Sequence, residues 1–204
     1  MKKTTFEAKD QNEALKIATE QLRVNPQYIS LSQEDKKSML GLKKTAQFTA
    51  TVNVNLLDLG YETLQQIMRD LEFKAEVKAE QDTETGTYKF SIESENNALL
   101  IGREGKTLQG FQAYLRNLLG QFTEERVKVV IDIGDYKEVR NRQLEILATR
   151  TAKEVARTKV AATLNNLNSY ERRIIHARLS DWRDVTTTSE GEEPNRTLVI
   201  KPRK

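Results

Sequence analysis

The 204-residue sequence contains no cysteine. That excludes a disulfide framework, a thiol nucleophile and a thiolate zinc site. Its single histidine excludes a metal site built from two or three imidazoles. No apolar run approaches the roughly 18–20 residues that a membrane helix needs. The opening stretch, MKKTTFEAKD, is basic with no apolar segment behind it, which predicts no signal peptide. A reducing, cytoplasmic home is compatible with these absences. What remains is 37% hydrophobic and 31% charged. This is too rich in Leu, Ile and Val for disorder throughout, and the length allows one large domain or two to three small ones.

The net charge of +3 is unevenly spread. Residues 1–53 carry 9 basic and 6 acidic side chains, residues 54–134 carry 9 and 14, and residues 135–204 carry 15 and 10. A basic end on a near-neutral chain hints at a polyanion partner, but charge alone favours an ordinary solvated surface.

Periodicity divides the chain into three blocks. In the first, Phe6 sits in an extended start. Ala14, Leu15, Ala18 and Leu22 recur at helical spacing until Asn25-Pro26, and Ile29 with Leu31, then Phe48, Ala50, Val52 and Val54, alternate as strands. Between the strands lies an apolar knob flanked by lysines, Lys36-Lys37-Ser38-Met39-Leu40-Gly41-Leu42-Lys43-Lys44. The second block predicts a helix (Leu64, Ile67, Met68, Leu71) and a hairpin from Phe73 to Ile92 turning at Gly86. A short helix at Ala98–Ile101, a longer one ending at Gly120, and a strand through Val127, Val129, Ile131 and Ile133 follow. The third predicts a long helix with Leu144, Leu147, Ala148, Thr151 and Val155 on one face and Arg142, Arg150, Lys153 and Arg157 roughly opposite. A helix over Tyr170–Leu179 and strands at Val185–Ser189 and Thr197–Ile200 complete it. The fold class is α+β.

The strongest local signal is Ile101-Gly102-Arg103-Glu104-Gly105-Lys106. Two glycines joining two helices allow a sharp corner and close approach of another backbone. The second helix would aim unpaired N–H groups at an anion such as phosphate. A bare GxxG is more often a plain connector; the flanking helices and the three strands favour the phosphate reading. Gly105-Lys106-Thr107 imitates the end of a P-loop, but position 100 is Leu100 rather than glycine and a helix replaces the preceding strand, so nucleotide hydrolysis is rejected. The second signal is Arg172 and His176, four residues apart and so on one side of a helix, with Arg173 beside them. Arginine forks onto phosphate, and neutral histidine stacks on a base or donates one hydrogen bond. A surface helix carrying one histidine accounts for the same residues taken alone. No nucleophile or metal set accompanies the pair, so no catalytic residue is assigned and the chain is not expected to be an enzyme. Asp132 and Asp135 are close together, but no third carboxylate joins them, which leaves a metal-dependent nuclease weakly supported.

Block two resembles the type II KH domain, αββααβ, whose GxxG loop clamps about four nucleotides of single-stranded nucleic acid. The match carries to Gly102, Arg103, Glu104 and Gly105, with Ile101 and Lys106 beside them; Glu104 departs by placing a negative charge in the loop. The run from Tyr170 through Asp184-Val185-Thr186-Thr187 to Ile200-Lys201-Pro202 resembles the R-3-H domain, in the version found in the bacterial Jag (SpoIIIJ-associated) family. That version commonly has proline where this chain has Ser169. Lys36-Lys37-Ser38-Met39-Leu40-Gly41 is similar to an element of the Jag N-terminal domain, with Ser38 and Met39 in place of a glycine and an aromatic. The resemblance implies three small domains: an N-terminal βαββ domain over 1–54, the KH domain over 55–134 and an R-3-H helix/sheet domain over 135–204.

It further implies a cytoplasmic regulator that binds single-stranded RNA or DNA, without a cofactor, linked to cell-envelope growth, division or sporulation. Its implied partners are a small KH-only protein, a second copy of the chain, and a membrane-insertase-associated protein reached through the N-terminal domain. The expected RNA-binding residues are Ile101, Gly102, Arg103, Glu104, Gly105 and Lys106 at the corner, and Arg172, Arg173 and His176 with the basic helix face of Arg150, Lys153 and Arg157. The competing reading is a protein-interaction adaptor at the membrane face that binds nucleic acid weakly.

Overall fold

The structure, a computed structural model, describes residues 1–34 and 46–203. The lysine-flanked knob lies outside the described residues. The chain gathers into two compact units, Met1–Gly134 and Asp135–Lys204.

The first unit opens with β1 (Lys3–Ala8), α1 (Gln11–Leu22), β2 (Ile29–Glu34) and β3 (Ala46–Val52). Asp10 caps α1 by accepting the Glu13 N–H at 2.9 Å. Arg23 ends it in the left-handed region (φ 57°), its N–H returning to the Thr19 carbonyl. The helix therefore stops before Asn25-Pro26. The strands form an antiparallel sheet ordered β1-β3-β2, with β3 in the centre. The central strand has to bury both flanks of its backbone, and it supplies the fully covered Phe48 and Ala50. Ala8, Ala14 and Phe48 make a small core here. The sheet also joins the rest of the unit: the Lys2 N–H donates to the Phe122 carbonyl at 3.1 Å, and the Tyr28 and Phe122 rings meet edge to face at 5.1 Å.

Next come α2 (Leu56–Asp70), β4 (Ala75–Gln81), β5 (Tyr88–Ser94), α3 (Asn97–Ile101), α4 (Lys106–Gly120) and β6 (Val129–Ile133). The sheet is ordered β4-β5-β6, antiparallel between β4 and β5 and parallel between β5 and β6. A parallel pair cannot be joined by a tight turn and needs a crossover connection, which α3 and α4 supply between β5 and β6. Gly60 of α2 lies against Phe90 of β5; a Cβ there would meet the ring at 2.5 Å. That close approach lets α2 press onto the sheet. Burial along α2 falls on Leu56, Gly60, Leu64 and Met68, a strict four-residue spacing. Ile67 and Leu71, which share the helical spacing of Leu64 and Met68, line an open apolar groove of about 590 Å³ with Phe73, Leu99, Leu100 and Tyr114. Its rim residues Leu71, Leu99 and Tyr114 are exposed.

The second unit holds α5 (Tyr136–Thr158), β7 (Ala162–Leu164), α6 (Ser169–Leu179), β8 (Val185–Glu190) and β9 (Thr197–Pro202). All pairs in the sheet β7-β9-β8 are antiparallel. Leu144, Ala148, Ala152 and Val155 of α5 pack with Ile175 and Leu179 of α6 and with Val185, Leu198 and Ile200 of the sheet. Leu147, expected on that face, is only half-buried, and Thr151 is buried. Strand β7 has no counterpart in the sequence reading, because three residues are too few to show alternation. No helix among the described residues is long and apolar enough to cross a membrane.

Candidate nucleic-acid interface

The corner between α3 and α4 is built by backbone geometry. Gly102 has φ 69°, ψ −180°, which side-chain-bearing residues avoid, and a Cβ there would lie 2.1 Å from the Thr107 hydroxyl. Both the dihedral and the space demand glycine. The Gly102 N–H closes α3 onto the Ala98 carbonyl at 3.0 Å, and the Gly105 N–H reaches the Gly102 carbonyl at 3.2 Å. Residues 103–105 make one 3-10 turn, in which Glu104 takes φ 55°. Gly105 (φ 75°) precedes α4, whose N-terminus receives no side-chain cap. The positive end of a 15-residue helix is thus left for another acceptor.

Around it, Arg103 and Lys106 are exposed, Ile101, Gly102 and Glu104 are half-buried, and Gly105 is buried. Glu104 folds partly inward: its Oε2 is shielded from solvent and has no hydrogen-bond partner among the described residues. The two cations therefore stand out beyond the one anion. Thr107, whose hydroxyl fills the space over Gly102, enters the sequence reading only as the end of the P-loop-like run Gly105-Lys106-Thr107.

The second surface departs further from the sequence reading. Arg172 is 5% exposed. Its Nη1 donates to the Leu167 carbonyl at 2.7 Å, and its Nη2 pairs with the Glu193 carboxylate on the β8–β9 turn. The guanidinium expected to meet phosphate is therefore committed to holding a turn against the start of α6. Its neighbour Arg173 is exposed. His176 is exposed as well, and its Nδ1 shares a 2.5 Å hydrogen bond with the Thr187 hydroxyl on β8. That bond orients the ring through Nδ1 and does not engage Nε2. Arg150, Lys153 and Arg157 are all exposed along α5, accompanied by Ile146 at 63% exposure.

The start of α6 is fixed by a reciprocal cap. Asn168 accepts the Glu171 N–H at 2.9 Å, and Glu171 accepts the Asn168 N–H at 3.0 Å. The buried Glu171 also receives Arg140 Nε at 2.8 Å, tying α5 to α6. Asn168 and Glu171 have the spacing of a capping box, a signal the sequence reading passed over. Glu193 and Thr187 carried no such signal, since their roles depend on the hairpin folding back. Among the described residues no three His, Asp or Glu side chains are placed to share a metal ion.

Residues 142–202 match the R-3-H domain family. A curated relative from Clostridium symbiosum, RNA-binding protein KhpB, is 30% identical over 98% of this chain and 91% of its own length. The Bacillus subtilis strain 168 protein of the same name is 28% identical over 98% of both chains. The one from Lactiplantibacillus plantarum is 33% identical over 69% of this chain and 43% of its own length.

Proposed function

The chain belongs to the KhpB family, the Jag family of RNA-binding proteins, and on that premise we propose that it binds single-stranded RNA through two surfaces and without catalysis. One observation carries the reading: at the Gly102–Gly105 corner, a conformation closed to other residues leaves the N-terminus of α4 uncapped between two exposed cations, Arg103 and Lys106. Such a corner takes a phosphate by its amides and the flanking phosphates by the side chains. The second surface is α6 with Arg173 and His176, and α5 with Arg150, Lys153 and Arg157. Arg172 supports it from inside. Two weak surfaces on one chain reinforce each other through effective concentration.

Residues 1–54, 55–134 and 135–204 are taken as the three working modules. The site of action is the cytoplasm, and the role is regulation of RNAs for envelope growth, division or sporulation, with a KH-only protein as partner. The test is binding of the full chain to a labelled single-stranded RNA, to single-stranded DNA of equal sequence and to duplex RNA. Preference for single strands supports the reading. A preparation free of absorbing nucleic acid that binds none of the three, yet captures a protein partner, favours the adaptor role instead.

A further inference from the structure

Resting on the RNA-binding reading, we propose that Tyr170 is a base-stacking platform that forms, with Arg173 and His176, a recognition strip along the outer side of α6. The helix buries Glu171, Arg172, Ile175 and Leu179. Helical periodicity puts Tyr170, Arg173 and Ala177 on the opposite side, with His176 at its edge. All four are exposed, Tyr170 by 59%. A single exposed tyrosine is ordinary; its company is what matters here.

The tyrosine is held at one point. Asn141 Nδ2 on α5 donates to its hydroxyl at 3.4 Å, a long bond that positions the ring's tip. Arg173 follows one turn later and His176 about 9 Å along the axis from Tyr170. The strip thus offers a π-face for a base, a guanidinium for a phosphate and an imidazole Nε2 for a base edge or sugar hydroxyl. Single-stranded nucleic acid presents those three groups together, and aromatic stacking is how proteins hold its splayed bases. The inward commitment of Arg172 leaves Arg173 as the phosphate contact on this helix.

The test uses the full chain and a fluorescein-labelled single-stranded RNA, titrated at several salt concentrations. Tyr170→Ala and Tyr170→Leu should each weaken binding roughly 5- to 150-fold, as loss of one stacked base does. The salt slope should not change, because stacking releases no counterions. Tyr170→Phe should bind like the parent. Arg173→Ala should flatten the log–log slope by about 0.7. If the parent binds and Tyr170→Leu binds equally well, the stacking role is overturned while the RNA-binding reading stands. The role is also overturned if Tyr170→Phe loses as much as Tyr170→Leu, since the hydroxyl tether rather than the ring would then matter. Should the parent bind no RNA, both fall together. Thermal melting of each variant separates a folding defect from lost contact, and Tyr170→Leu keeps the side chain's bulk if Tyr170→Ala unfolds.

Discussion

Two arginines side by side, Arg172 and Arg173, do opposite jobs. Arg172 satisfies a buried carbonyl and holds the β8–β9 turn, whereas Arg173 faces solvent. Arg172→Ala should therefore destabilise the second unit by about 1.5–3 kcal/mol, the usual worth of hydrogen bonds to charged groups. The value stays in that range because Glu193 is largely exposed and remains hydrated when unpaired. A lower melting temperature with Arg172→Ala, and an unchanged one with Arg173→Ala, is the expected pattern. At the corner, Gly102→Ala should both lower stability and weaken RNA binding, read by melting and by titration, because its Cβ would collide with the Thr107 hydroxyl. The corner was legible in the sequence, since two glycines between helical patterns state a backbone requirement directly. The orientation of Arg172 was not. Four-residue spacing says that Arg172 and His176 share a side of α6, but the burial boundary runs between them, and the counter-charge that draws Arg172 inward lies 21 residues downstream.

Among the elements, the β4–β5 hairpin carries the clearest pH dependence. Asp82 accepts the Thr85 and Glu84 N–H groups at 2.9 and 3.1 Å and pairs with Lys89 at 2.9 Å. The Thr85 amide first, and Lys89 next, hold its carboxyl far below the ordinary 3.8. Asp82 in turn raises Lys89 above its ordinary 10.5. A lowered carboxylate contributes stability that is present above the unfolded value and lost as pH falls below it; a raised ammonium contributes stability that is lost as pH climbs past its own value. The hairpin should keep its full contribution between about pH 5 and 9.5 and weaken outside that window. Melting curves of Asp82→Asn, compared with the parent across pH, should lose the acid-side part of this dependence. Elements with enough residues to repeat were readable: the alternation of β4 and β5 and the stripe of α5 are examples. The three-residue β7 was not, and the helical spacing of Leu64, Ile67, Met68 and Leu71 did not say which of them are buried: Leu64 and Met68 are, on the side where Gly60 meets Phe90.

For the molecule as a whole, the first unit depends on a joint that no periodicity could announce. Phe122 comes after α4, is 5% exposed, and meets the Tyr28 ring while its carbonyl receives the Lys2 N–H. A βαββ segment of about 50 residues is near the lower limit for an independent core, so support from Phe122 gives it covered surface that it lacks alone. Phe122→Ala should cost about 3–5 kcal/mol, with amide-exchange protection falling in both the β1-β3-β2 and the β4-β5-β6 sheets. Protection lost in only one of them would mean that the two fold separately.

On the proposed function, exposed cations at the Gly102–Gly105 corner neutralise RNA phosphates. This is measured most directly by the salt dependence of single-stranded RNA affinity for the full chain and for Arg103→Ala with Lys106→Ala. The parent should show a steep log–log fall, and the double variant a slope shallower by about 1.4, two phosphates at roughly 0.7 each. An identical slope in the two proteins, or a parent indifferent to salt, would contradict it.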